Sequence, residues 1–115
     1  MFSHSLNDTI WTLRHALKKD KAKIWKAVIK DLSKSRSNRT EINLSRLSRV
    51  TNDNDVIIVP GKILGSGDIT HKLTIWCFSI SETAARKITN AGGKLIAIDK
   101  LTEKYPKGRG IRIIG

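Results

Sequence analysis

The apolar positions along this chain fall into blocks with two different periods. Leu6, Ile10, Leu13 and Leu17 recur at helical spacing, and Ile24, Trp25, Val28, Ile29 and Leu32 do the same. These runs predict two helices joined by the basic turn Lys18-Lys19-Asp20-Lys21, the first with Asn7 as N-cap and with Leu6 and Trp11 stapled across it. Ser35-Arg36-Ser37-Asn38-Arg39-Thr40 has no apolar residue and predicts a loop. Beyond it, Asn43 is placed to cap a short helix through Leu44, Leu47 and Val50. Thr51-Asn52-Asp53-Asn54-Asp55 then predicts a turn that faces solvent and holds its two acids away from any anion.

From Val56 the pattern changes. Val56-Ile57-Ile58-Val59 predicts a buried strand broken by Pro60-Gly61, after which Ile63 and Leu64 return to the core and Gly65-Ser66-Gly67 forms a loop. Lys72–Ser79 alternates Leu73, Ile75 and Cys77 with Thr74, Trp76 and Phe78, a strand with two apolar faces and therefore central to a small sheet. Ser79 and Glu82 have the spacing of a capping box for a helix through Ile80, Ala84, Ile88 and Ala91, which Gly92-Gly93 ends. Leu95–Ile98 predicts a further strand, Asp99 the cap of a last helix through Leu101 and Tyr105 that Pro106 ends, and Ile111–Ile114 a closing strand.

Length and charge narrow the picture. A chain of 115 residues predicts one domain that buries roughly two-thirds of its unfolded surface. Without repeats or a linker, residues 1–50 are expected to be a basic helical arm or subdomain packed onto a globule of residues 51–115. Lys and Arg number 22 against 10 acids, a formal charge of +12. Residues 1–50 carry twelve basic and four acidic side chains, and residues 51–115 carry ten and six. That surplus predicts a polyanionic partner, nucleic acid first, because a membrane-surface protein would concentrate its charge on one amphipathic helix with large apolar anchors. No run approaches a membrane span, and MFSHSLNDTI has neither the basic lead nor the apolar run of a signal peptide. The single Cys77 excludes an internal disulfide, fits a reducing compartment and is expected to be a buried, inert thiol.

Several groups are candidates for phosphate. Lys23, Lys26, Lys30 and Lys34 cluster within about 80° opposite the apolar face of the second helix, a nucleic-acid-binding stripe or a merely solvated face. Arg36 and Arg39 can make bidentate contacts from the polar loop, and Arg46 and Arg49 lie one helical turn apart. Gly61, Gly65 and Gly67, with Lys62 among them, suit a loop whose backbone N–H groups lie against phosphate; the alternative is an ordinary strand connection with glycines for positive φ. Trp11, Trp25 and Trp76 fall at core-like positions, leaving Phe2 and Tyr105 for stacking, so shape and backbone recognition of folded RNA is expected rather than reading of stacked bases.

Enzyme motifs are absent. Lys62 follows the first glycine of its loop rather than the last, and Thr70 stands where a third glycine would continue the series. His4, His15 and His71 share no i, i+4 pair, one cysteine cannot build a zinc site, and Asp68 is a single carboxylate beside Gly67. No catalysis, cofactor, metal or small-molecule substrate is expected.

The run RTEINLSRLSR from Arg39 to Arg49, then VIIVPGKILGSG, AGGKLIAIDKL and the ending PKGRGIRIIG, in this order, resembles the archaeal and eukaryotic large-ribosomal-subunit protein numbered eighteen, whose bacterial relative is large-subunit protein fifteen. The resemblance covers nearly the whole chain, and the length resembles the archaeal form. It implies a small mixed α/β domain of irregular β-β-α units with a basic helical N-terminal part. It also implies a structural component of the cytoplasmic ribosome that binds large-subunit ribosomal RNA beside neighbouring ribosomal proteins. Taken with the charge pattern, the expected RNA-binding set is Lys18, Lys19, Lys21, Lys23, Lys26, Lys30, Arg36, Arg39, Arg46, Arg49, Gly61, Lys62, Gly65, Gly67, Lys72, Lys107 and Arg109. The side chains would neutralise phosphate and the glycines would fit one RNA shape. Two other classes share some of these features: a chromatin-type nucleic-acid-compacting protein, indifferent to RNA fold, and a nucleotide-using enzyme on the Gly61 to Gly67 loop, which would need bound metal.

Overall fold

The computed structural model describes residues 2–3, 5–35 and 39–114. In chain order the elements are β1 (Phe2–Ser3), α1 (Leu6–Asp20), α2 (Lys23–Leu32), β2 (Thr40–Asn43), α3 (Leu44–Val50), β3 (Asp55–Leu64), β4 (Leu73–Ile80), α4 (Glu82–Asn90), β5 (Lys94–Leu95), α5 (Ile98–Lys104) and β6 (Ile111–Ile113). The long parallel pair β3 and β4 forms the middle of one sheet. The outer edge of β3 pairs in parallel with β6 through Val56–Ile58 and with β2 through Gly61–Leu64. The outer edge of β4 takes β5 in parallel at Thr74 and Ile75, and β1 antiparallel at Ser79 and Ile80. Four short strands thus flank two long ones, one pair toward each end.

A parallel pair covered on both faces needs apolar residues at every position, and β3 and β4 supply them. Ile57, Val59, Ile75 and Cys77 point to one side, where Leu44 and Leu47 of α3 and Ala84 and Ile88 of α4 close over them. Ile58 and Trp76 point to the other, where they meet Leu13 of α1, Trp25, Val28 and Leu32 of α2 and Leu101 of α5. The result is three layers, helices on both faces of the sheet, as the mixed α/β expectation requires. Residues 1–50 share both apolar clusters with residues 51–115, through Leu13 and Trp25 on one face and Ile42 and Leu47 on the other.

Pro60-Gly61 does not end the strand. Between Val59, opposite Cys77, and Lys62, opposite Ser79, β3 carries one residue more than β4, a bulge that accepts a proline without losing a ladder bond. Gly61 is buried opposite Thr40, and a Cβ there would overlap the Thr40 carbonyl, so the glycine lets β2 pair at all. Strand β2 itself lies partly in what the sequence suggested was loop.

The ends of several elements also shift. Ser5, not Asn7, caps α1: its Oγ accepts from Asp8 N at 3.3 Å, and Asn7 lies exposed in the first turn. Ser81, not Ser79, caps α4 through a 3.2 Å bond from Ala84 N, because β4 continues through Ile80 to pair with β1. The expected strand Leu95–Ile98 shrinks to Lys94–Leu95, since Ile98 opens α5 and Asp99 sits in that helix's first turn, with Ala97 at the cap. Trp11, expected in the core, is 68% exposed and forms no staple across the cap.

The connection from β3 to β4 is unusually direct. Parallel neighbours usually require a crossover of a dozen residues or more. Here Gly65 to Lys72 must carry the chain from Leu64 back to Leu73, which pairs with Asp55 at the far end of β3. That is about 30 Å at roughly 3.3 Å per residue, so the segment must be nearly extended. Ile69 anchors it in the apolar cluster beneath α3 and α4.

Candidate nucleic-acid interface

The sharpest amphipathic element is α2. Trp25, Val28 and Leu32 are fully buried, while Lys23, Lys26 and Lys30 are exposed, with Lys34 just beyond the helix paired to Asp31 at 3.3 Å. The buried side also fixes a distant loop. Trp25 Nε1 donates to the carbonyl of Pro106 at 2.9 Å, and Gly108, at φ +67, lies so close that a Cβ would overlap the Ile24 side chain. The turn carrying Lys107 and Arg109 is therefore seated on α2, although about eighty residues separate them in sequence. Lys104, Lys107 and Arg109, with Tyr105 and Pro106, line an open groove of about 320 Å³, and Lys104 Nζ lies 5.7 Å from the Tyr105 ring centroid. The last turn of α1 brings Lys18 and Lys19, and Lys21 adopts the left-handed conformation (φ 53) that ends α1, its N–H bonded to Leu17 O at 2.8 Å. The structure thus brings the C-terminal turn to the buried side of α2, while the lysine stripe lies on that helix's exposed face and Lys19 lines a different groove with Asp20, Asp99 and Glu103.

Other expected residues lie elsewhere. Arg46 and Arg49 are exposed on α3, in the layer on the opposite face of the sheet, and Asn43 Oδ1 caps that helix by accepting from Arg46 N at 3.1 Å. Lys72 and Lys94 border a groove of about 290 Å³ with Asn54 and Gly92. The acid-bearing turn beside it is not simply solvated: Asp53 Oδ1 accepts from Lys72 N at 2.7 Å, and Asp55 Oδ2 accepts from Arg112 Nη1 at 3.1 Å. Arg39 is half-buried, its guanidinium 5.2 Å from the Phe78 ring centroid, and its Nε is buried with no hydrogen-bond partner among the described residues. Lys62 is half-buried and opposite Glu41 in the ladder. Arg36 and His4 lie outside the described residues.

The glycine loop has reasons for its composition within the chain. The extended segment passes the first turns of α3 and α4, where a Cβ on Gly67 (φ +90) would stand 2.6 Å from Ser45 Cβ and 2.7 Å from Ser45 N, and one on Gly65 would stand 2.8 Å from Thr83 Cβ. Ser66 O accepts from Ser45 N at 3.1 Å, filling one of the unpaired N–H groups at the start of α3. Lys87 Nζ then donates to Gly65 O at 2.9 Å and Gly67 O at 2.7 Å, with Asp68 Oδ1 at 3.8 Å. The sequence pattern does not single out Lys87, and nothing local could have done so, because its partners are carbonyls that α4 meets only in the folded chain.

Cys77 is buried in β4, and burial pushes its thiol up to about 12. Among the described residues no group of His, Cys, Asp or Glu could hold a metal ion, and no helix is long and apolar enough to cross a membrane.

Comparison with known proteins agrees with this architecture. Residues 10–114 match the family described as ribosomal protein 60S L18 and 50S L18e. Proteins named large ribosomal subunit protein eL18 are similar over most of the chain. That of Pyrobaculum aerophilum is 40% identical over 102 residues, 89% of this chain and 84% of the relative. That of Archaeoglobus fulgidus is 41% identical over 96 residues, 84% and 82% respectively, and that of Methanococcus maripaludis 38% over 107, 93% and 89%. A family match spanning all but the first nine residues and the last one, with relatives this similar over four-fifths or more of both chains, establishes that the chain belongs to the 60S L18 and 50S L18e ribosomal protein family.

Proposed function

We propose that this protein is a structural constituent of the large ribosomal subunit, binding folded large-subunit ribosomal RNA by its backbone and lying beside other ribosomal proteins, with no catalytic role. The observation that carries the RNA reading is the exposed lysine stripe of α2, on the same helix whose buried Trp25 ties down the turn bearing Lys107 and Arg109. Cations carried on a helix and on a turn already held in place suit phosphates at fixed spacings, since little backbone freedom is left to lose on binding. Most of the large aromatic side chains give little to base reading: Trp25 and Trp76 are fully buried, Tyr105 is half-buried beside Lys104, and the exposed Trp11 lines a groove with Asp20, Asp99 and Glu103, which disfavour a nucleic acid there. Membership of a ribosomal protein family supports the same reading.

Filter binding to large-subunit ribosomal RNA across salt concentrations tests it. With on the order of 6 to 10 phosphate contacts, affinity falls by roughly a thousandfold or more between about 50 and 200 mM salt. A nearly flat dependence contradicts the proposal, and equal affinity for folded and denatured RNA favours the nucleic-acid-compacting alternative.

A further inference from the structure

On a chain of formal charge +12, one groove runs against the prevailing sign. It lies between α1 and α5, has a volume of about 290 Å³, and its charged lining is Lys19 against Asp20, Asp99 and Glu103. None of those three carboxylates makes an ion pair among the described residues, where the pairs are Lys34 with Asp31, Lys87 with Asp68 and Arg112 with Asp55. Helix α5 divides its charges by face. Asp99 and Glu103, four apart, line the groove, and Lys100 and Lys104, one residue further on in each case, do not.

The same groove holds the one large aromatic side chain that is more than two-thirds exposed among the described residues. Trp11 is 68% exposed, and its ring stacks on His15 with centroids 5.4 Å apart and planes 7° from parallel. His15 thus covers one face of the indole and leaves the other available. Exposure of a tryptophan is costly in water, and its position beside unpaired carboxylates indicates what covers it. A phosphate backbone is repelled here. An arginine guanidinium satisfies both features at once, stacking on the open indole face and forking onto a carboxylate, a combination that the compact ammonium of lysine matches poorly.

We propose that the α1–α5 groove is a protein-docking site that takes an arginine-bearing segment of another chain, with Trp11 as the stacking platform and Asp99 and Glu103 as the carboxylates that pair with it. The groove adjoins the basic surface at Lys19 and Pro106 but has carboxylates as most of its charged lining, and the proposal does not depend on RNA being the ligand beside it. The carboxylates select the charge of the occupant, and the indole sets where it lies.

The full chain is titrated with a short peptide of alternating arginine and glycine at about 100 mM salt, where long-range attraction is screened. Tryptophan emission is the readout. Trp25 and Trp76 are fully buried, so Trp11 supplies the solvent-accessible signal. The peptide binds saturably and perturbs the exposed tryptophan, despite the positive charge of both partners, and the corresponding lysine peptide binds at least about fivefold more weakly. Trp11→Ala, and separately the pair Asp99→Asn with Glu103→Gln, weaken binding by about tenfold, whereas Glu41→Gln with Asp68→Asn, the same change in net charge outside the groove, leaves it within about twofold. RNA affinity of Trp11→Ala stays at the parent value. The proposal is overturned if both charge pairs weaken the peptide equally, if Trp11→Ala loses RNA rather than peptide, or if sedimentation shows Trp11-dependent self-association, which would make a second copy the occupant. Melting curves of each variant, expected to match the parent because every altered side chain is exposed, exclude loss of fold as the cause.

Discussion

Replacing Gly67 with alanine separates two explanations of the glycine loop. At φ +90 an alanine is strained by about 1 to 3 kcal/mol. Its Cβ would also stand 2.6 Å from Ser45 Cβ and 2.7 Å from Ser45 N, an overpacking that adds about 1 to 3 kcal/mol because backbone must move. The unfolding entropy of a chain of 115 residues converts each kcal/mol to about 4 °C, so the variant melts at least about 8 °C below the parent. Gly110→Ala is the matched control. Its φ is +78, but nothing lies within 4 Å of the added carbon, so only the conformational part remains, about 1 to 3 kcal/mol. Gly65→Ala carries the packing part alone, because its added carbon would stand 2.8 Å from Thr83 Cβ and 3.1 Å from Ala84 N while its φ is not positive. Circular dichroism melts of the three variants, with urea unfolding to verify unchanged m-values, give the ordering. If Gly67→Ala melts no lower than Gly110→Ala, the crossing between α3 and α4 is not what requires the glycine. Normal melting with reduced affinity for folded RNA would return the loop to the RNA interface.

Trp25→Ala, which empties a fully buried site and removes the donor to Pro106, costs about 3 to 5 kcal/mol in urea unfolding; a cost under about 1 kcal/mol would show that α2 is not anchored by this ring. The triple change Lys23→Gln, Lys26→Gln and Lys30→Gln, all on the exposed face, leaves melting within a few degrees but makes the salt dependence of RNA binding shallower by about three contacts; an unchanged slope would make the stripe merely solvated. Cys77 resists thiol reagents in the native state and reacts at the rate of unfolding. Because burial raises its native value to about 12 from an ordinary 9.0, the native state holds its proton longer than the unfolded state, so this group's contribution to stability is complete at neutral pH and declines only as pH rises above about 9. Rapid labelling at neutral pH would contradict that burial.

The two-faced strands and the amphipathic helix were legible in the sequence because their signals are local. Alternation through Leu73, Ile75 and Cys77 against Trp76 reports a strand buried on both sides, and the opposed faces of α2 follow from helical spacing. Pro60-Gly61 misled because a bulge beside a close neighbouring strand uses the same residues as a break, and only the pairing with β2 tells them apart. Strand β2 and the shortened β5 owe their structure to ladder partners distant in sequence, β3 and β4 respectively. Trp11 sits at a position the sequence assigned to a staple, but with Ser5 as the cap it is no longer a staple position. It lies about 200° round the helix from Thr9 and Leu13, on the side α1 does not bury. For the candidate site, charge counts identified the cations but not their grouping. The contact of Trp25 with Pro106 brings α2 to Lys107 and Arg109, and the sheet separates them from Arg46 and Arg49.

The central claim concerns where the native protein resides and what holds it there, and sedimentation of a lysate through sucrose tests it most directly. The account predicts that the protein travels with the large ribosomal subunit at low salt, leaves only when salt is high enough to displace many phosphate contacts, and leaves at lower salt when Lys23, Lys26 and Lys30 are replaced by glutamine. A protein that stays at the top of the gradient at every salt concentration would contradict it.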